Sequence, residues 1–234
     1  MCQAHEELRL RTPRLVLRDF RERDLPAVFA LRSAPAVARF MDFAPETRDQ
    51  ARSWLDAVIV HDRQRPRRAY NLAITHGADE RAIGWIGIGR SERYPGAGEL
   101  GFGYMLHPAY WGQGYATEAV RATLDFGFTV LGGRRASAWC DAANQASARG
   151  LARAGLRFAR RYRETDPQGE QPAECLEYAI EAAEWPVARV SLASERAPDS
   201  AERDPQTLRR GADRGRDRTG PAHEDGAPPG RRRC

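Results

Sequence analysis

Trp111-Gly112-Gln113-Gly114-Tyr115-Ala116-Thr117 is the stretch of this chain whose residue types and spacing most suggest chemistry. Two glycines stand one residue apart, after a run that reads as a strand and before one that reads as a helix. A strand, a glycine-rich turn and a helix start together present backbone N–H groups and a positive dipole end to an anion. Glycine takes dihedrals that other residues avoid, and it leaves no Cβ in the path of a phosphate oxygen. Two phosphate-binding patterns are excluded. A P-loop needs a lysine after its second glycine, and the chain has no lysine. A dinucleotide fingerprint needs glycine where Thr117 stands, and it belongs in a first βαβ unit rather than this late in the chain. Metal chemistry has no support either. Cys2, Cys140, Cys175 and Cys234 lack metal-site spacing, and the five histidines form no H-x-x-x-H pair, so four free thiols and no metal are expected.

The elements that must hold this turn follow from periodicity. In Glu99-Leu100-Gly101-Phe102-Gly103-Tyr104-Met105-Leu106 side chains alternate between faces. Leu100, Phe102, Tyr104 and Leu106 share a core-like face. Glu99, Gly101, Gly103 and Met105 share the other, which is nearly bare and suits either a closely packed backbone or a ligand lying along the strand. After the turn, Ala116, Val120, Leu124 and Phe128 recur at four-residue spacing, with Glu118, Arg121 and Asp125 as the expected solvent stripe of a helix over residues 114–131. Around these, strands are expected at 8–19, 69–75, 82–90, 135–140, 156–162 and 174–180, and helices at 24–33, 47–61 and 145–154. The mixture predicts an α+β fold with a substantial sheet.

The run Gly98 to Val120 resembles the GNAT superfamily of acyl-coenzyme A-dependent N-acetyltransferases, and is most similar to the branch of the ribosomal-protein-alanine N-acetyltransferases of the Rim type. The family's pyrophosphate signature, [QR]-x-x-G-x-[GA], aligns with Trp111-Gly112-Gln113-Gly114-Tyr115-Ala116, with Trp111 departing from the usual Gln or Arg. A second segment, Asn144 to Phe158, resembles N-x-x-S-x-x-x-x-E-K-x-G-F at Asn144, Ser147 and Gly155; Ala152, Arg153 and Leu156 depart from it. The opening, residues 10–31, is similar to the first strand and helix of the same branch. The resemblance spans residues 8–180 and implies the GNAT fold: a central, mixed and mostly antiparallel twisted sheet flanked by helices.

It also implies roles. Acetyl-CoA would be the acyl donor, its pyrophosphate held by backbone N–H groups of residues 112–117, including Gln113, Tyr115 and Ala116, with the Thr117 hydroxyl beside them. The pantetheine arm would run along the strand ending at Met105 and Leu106, where a main-chain N–H is the natural oxyanion donor. Ser147 is the expected hydrogen-bond donor to the coenzyme sulfur, because the position where many family members carry Tyr holds Leu151. Asn144 caps the following helix, binds the arm, or both. Glu99 is the candidate base, directly or through water; a surface carboxylate is its other reading. The acceptor would be a primary amine, foremost a protein N-terminal α-amine, whose pKa near 8 leaves a useful neutral fraction. A small-molecule amine such as an antibiotic or metabolite is the alternative acceptor, and a non-catalytic acyl-CoA sensor the alternative function.

The rest of the chain bounds these readings. Residues 1–185 are expected to form the GNAT domain. Residues 186–234, rich in Arg, Pro and Gly with almost nothing large and apolar, are expected to be a disordered tail. The net charge of +5 is modest and mixed with acids, so nucleic-acid binding is not expected. The absence of a long apolar run argues against a membrane span, and a start without a signal-peptide pattern makes the cytoplasm the expected location. Monomer and homodimer both remain open.

Overall fold

Pro13 divides the first expected strand in two. Proline has no N–H for a ladder and fixes its own φ, so the chain turns there: β1 (Arg9–Arg11) and β2 (Leu15–Asp19) form a hairpin. Thr12 closes it, its N–H donating to the Leu15 carbonyl and its Oγ1 accepting from the Leu15 N–H, both at 2.9 Å. In this computed structural model the described residues are 7–165 and 172–186. The tail expected over residues 186–234 lies outside them apart from Pro186, as do Cys2, His5, His223 and Cys234.

Three helices follow: α1 (Leu25–Arg32), α2 (Pro35–Ala38) and α3 (Arg48–Asp62). The short α2 carries too few residues for a legible period; Pro35 in its first turn supplies a preset helical φ. A capping box opens α3: Thr47 Oγ1 accepts from the Gln50 N–H, and Gln50 Oε1 accepts from the Thr47 N–H at 2.9 Å. The chain continues through β3 (Ala69–His76), β4 (Arg81–Arg90), β5 (Glu99–Leu106), α4 (Tyr115–Thr129), β6 (Arg135–Asp141), α5 (Gln145–Ala154), β7 (Arg157–Thr165) and β8 (Pro172–Glu181).

The eight strands make one open sheet in the order β1-β2-β3-β4-β5-β6-β8-β7. Every neighbouring pair is antiparallel except β5 and β6, which α4 connects in parallel. That pair is registered over three residues only, Glu99–Gly101 against Arg135–Ser137, although both strands run on. Beyond Gly101 the strands diverge and leave a gap in the sheet.

One face of the sheet packs on α4 and α5. Ala119, Val120, Leu124 and Phe126 of α4 meet Ile86, Ile88, Leu100 and Phe102, and Leu151 of α5 is buried among them. The other face packs on α1 and α3 through Phe20, Val58, Trp54 and Trp85, the two indoles edge-on at 6.4 Å. Each large apolar side chain buried in these layers contributes about 1.5–3 kcal/mol. Met105 belongs to this second cluster, so the face of β5 expected to be nearly bare is covered at that end.

Asp125 corrects the expected solvent stripe of α4. It is buried, and its Oδ1 accepts from Trp185 Nε1 at 2.6 Å. Burial pushes its carboxyl pKa up, against the lowering effect of that bond. Trp185 lies 60 positions away in sequence and folds back over the helix, which periodicity within the helix does not reveal.

Candidate active site

The end of β5, the turn after it, α2 and the start of α5 meet in one cavity of about 280 Å³, bordered among others by Val37, Tyr104, Leu106, Gly114, Asn144 and Ser147. The turn is built as its sequence requires. Gly112 has φ +74° and Gly114, the residue that caps α4, has φ +80°; side chains rarely tolerate such values. A Cβ at Gly112 would meet no protein atom within 4 Å. The amides at the start of α4 therefore open onto space, an arrangement suited to an anion such as a pyrophosphate.

Trp111 replaces the polar residue of the family signature and acts on the strand end. Its Nε1 donates to the Leu106 carbonyl at 2.8 Å, tying the turn to the last residue of β5. Arg14, from the β1–β2 hairpin, holds the other side. Its Nη1 donates to the Gln113 carbonyl at 2.9 Å, and its Nε donates to Glu118 at 2.7 Å. Thr12 Oγ1 and the Arg14 N–H also donate to Glu118. Burial works to raise the Glu118 pKa, but these bonds outweigh it and hold the carboxylate below its usual range. Its charge, close to where an anion would sit, is thus compensated by Arg14. Tyr115 stacks beneath the Arg14 guanidinium at 4.6 Å and its hydroxyl meets His76 Nε2 at 3.0 Å. Nothing local in the sequence announces Arg14, because its partner Glu118 is 104 positions away.

At the start of α5, Asn144 Oδ1 accepts from the Ser147 N–H at 3.1 Å, so the expected cap is present. Ser147 Oγ lies 3.1 Å from the Tyr104 hydroxyl, and it is also within hydrogen-bonding reach of the Cys140 thiol. Reading Tyr104 as a core residue accounts for its ring but omits its hydroxyl. A buried phenol wants a polar partner, and that was the available signal.

Burial pushes the Cys140 thiol up to about 11, with the Ser147 bond acting in the opposite direction. A fully buried, protonated thiol is a poor nucleophile, which argues against an acyl-cysteine intermediate. The Cys140 side chain fills the core between β6 and the helices.

Glu99 requires a correction. It begins β5, while Met105 and Leu106 lie six and seven residues further on, roughly 20 Å along an extended strand. Its carboxylate is paired with Arg135 Nη1 at 3.2 Å, and it does not line the cavity. The strand's alternation gave its face correctly but said nothing of the distance or of Arg135. Across the gap, on the face away from α4, stand Trp139, Arg93 and Tyr162, with Arg93 4.3 Å over the Tyr162 ring and 5.5 Å over the Trp139 ring. Trp139 Nε1, Arg93 Nε and the Tyr162 hydroxyl are buried without hydrogen-bond partners among the described residues. Close by, Glu177 accepts from Tyr94, Arg160 and Arg135. Burial would raise its pKa, and these donors together bring it below the ordinary value.

With this geometry in view, known proteins supply the context. The family model described as an acetyltransferase (GNAT) domain matches residues 14–157. YkkB of Bacillus subtilis (strain 168) is 30% identical over 159 residues, covering 66% of this chain and 88% of YkkB. The uncharacterized N-acetyltransferase p20 of Bacillus licheniformis is 31% identical over 139 residues, 59% of this chain and 76% of p20. Among solved structures, Mycobacterium smegmatis RimJ in complex with CoA-disulfide is 25% identical with a TM-score of 0.64, over 77% of this chain and 88% of RimJ. A GNAT-family structure from Bacillus anthracis, at 24% identity, has a TM-score of 0.67 and covers 75% of this chain and 99% of its own.

Proposed function

The chain belongs to the GNAT acetyltransferase family, and on that premise we propose that it transfers acetyl directly from acetyl-CoA to a protein N-terminal α-amine. The observation that carries this reading is the single cavity in which the glycine turn at the start of α4, the diverging end of β5 and Ser147 meet. Backbone N–H groups from Gly112 to Thr117 take the pyrophosphate. The end of β5 at Met105 and Leu106 guides the pantetheine arm, Asn144 fixes the first turn of α5, and the Ser147 hydroxyl faces the thioester sulfur. On this reading the catalytic domain is residues 1–185.

The mechanism is short. The amine attacks as its neutral form, which an α-amine with a pKa near 8 supplies at neutral pH. Water takes its proton, so Glu99, paired with Arg135, is not needed as a base. The oxyanion is met by a main-chain N–H at the end of β5.

The test is thiol release from acetyl-CoA by the purified protein against peptides and amine-bearing small molecules. Turnover with peptides supports the reading and names the preferred first residue. Turnover confined to small amines assigns the chain to small-molecule modification instead. Tight acetyl-CoA binding with no turnover for any amine favours a sensor.

Arg14 provides a separate check on the anion site. Arg14→Ala frees the Gln113 carbonyl and leaves the Glu118 charge uncompensated at the start of α4. Charge-assisted hydrogen bonds of this kind contribute about 1.5–3 kcal/mol at most when well ordered. Because Arg14 is half exposed, a smaller loss is expected: acetyl-CoA affinity about three- to tenfold weaker by calorimetry. The thermal midpoint should barely move.

A further inference from the structure

We infer that Tyr104 is a positioning residue for the departure of coenzyme A, holding the Ser147 hydroxyl toward the thioester sulfur and replacing the proton that Ser147 gives up. The inference rests on the transfer reading above and concerns the same cavity.

Three observations carry it. First, the Tyr104 hydroxyl lies 3.1 Å from Ser147 Oγ, close enough to donate to it, so β5 and α5 are joined at the residue that faces the sulfur. Second, α5 makes room for the phenol. Gly150 lies one turn after Ser147, and a Cβ there would stand 3.2 Å from the Tyr104 hydroxyl. Third, no other phenol is available from α5. The position where the resemblance would supply a tyrosine is Leu151, which is fully buried in the core. Tyr104 brings the missing functional group from the neighbouring strand.

The chemistry explains why a serine alone is insufficient. An aliphatic alcohol is a far weaker acid than a phenol, whose ordinary pKa is near 10, and a thiol's is near 8.5. Ser147 can orient a proton toward sulfur but cannot readily end as an alkoxide. In the proposed step the amine nitrogen has bonded to the thioester carbonyl carbon. The C–S bond then breaks and its electron pair goes to sulfur. The Ser147 proton passes to sulfur as the Tyr104 phenolic proton passes to Ser147 Oγ. The proton released by the former amine returns to the Tyr104 oxygen through water. Thioester and amine become amide and thiol, and both side chains end as they began.

Tyr104→Phe removes one oxygen and keeps the ring that packs beneath α5. It is expected to lower kcat about 10- to 100-fold while KM and the calorimetric Kd for acetyl-CoA change less than twofold. Ser147→Ala should produce a similar kcat loss. The decisive comparison is the double variant: a relay acts as a unit, so Tyr104→Phe/Ser147→Ala should be little worse than either single change. Losses that multiply, or a Tyr104→Phe enzyme with unchanged kcat, overturn the inference while leaving the transfer reading intact. A wild-type protein that binds acetyl-CoA but accelerates thiol release for no amine overturns both. Gly150→Ala serves as the second variant. By crowding the phenol without removing Ser147, it should lower kcat in the same direction, and an unchanged kcat there also counts against the relay.

Discussion

Replacing both Gly112 and Gly114 by alanine should weaken acetyl-CoA binding by about 30- to 1,000-fold and leave the fold nearly as stable as before. The two residues sit at φ +74° and +80°, and a Cβ in the left-handed region costs about 1–2 kcal/mol per residue. Two such costs amount to roughly 2–4 kcal/mol, and each 1.4 kcal/mol is a factor of ten. The added methyl groups meet little of the protein. Nothing lies within 4 Å at Gly112, and the nearest atom at Gly114 is an Arg14 nitrogen at 3.4 Å. The exposed turn can therefore relax in the free protein and escape the strain. On the proposed reading, binding must pull it back into the conformation that points the amides at the phosphates, so the cost falls on affinity. Calorimetric titration with acetyl-CoA measures the loss, and the thermal midpoint should fall by no more than about 3 °C. An unchanged Kd would mean that these amides do not hold the pyrophosphate.

Much of this site was legible because its signals are local. The turn announces itself through glycine spacing, and Asn144 and Ser147 form a cap that three residues suffice to recognise. The strand Glu99–Leu106 and the helix Gln145–Ala154 stand where alternation and periodicity put them. The failures share a different cause: each depends on a partner far away in the chain. Glu99 looked available until Arg135, 36 positions on, took its carboxylate. Asp125 looked solvent-facing until Trp185 covered it. Tyr104 read as core because alternation reports the face of a residue, not what the tip of its side chain reaches on another element. The break at Pro13 is an exception, since proline's missing N–H is a local signal. Treating residues 8–19 as one strand gave too little weight to it.

Asp24→Ala should be among the most destabilising single substitutions in this chain, costing about 3–5 kcal/mol. Arg18 is fully buried, and its guanidinium donates to both Asp24 oxygens at 2.7 and 2.8 Å. It also donates to the Asp19 and Glu80 carbonyls. Burial works to lower the Arg18 pKa, but Asp24, Glu7 and Glu80 outweigh it and raise the value, so the charge persists inside the fold. Removing Asp24 strips this buried cation of its best partner, and also removes the acceptor for the Arg21 N–H just before α1. In urea the midpoint should fall with an unchanged slope, the sign of lost stability without a change in the surface exposed. Replacing the pair together, Arg18→Met with Asp24→Leu, should recover most of the loss, since a buried pair exchanged for apolar side chains is often neutral. A double variant as unstable as Asp24→Ala would show that the carboxylate matters mainly through the Arg21 amide. The two outcomes also differ at a distance. Arg18 lies on β2, the strand that follows the turn presenting Arg14 to the Gln113 carbonyl. If the ion pair sets the position of that hairpin, Asp24→Ala should weaken acetyl-CoA binding as Arg14→Ala does, and the apolar pair should restore binding along with stability.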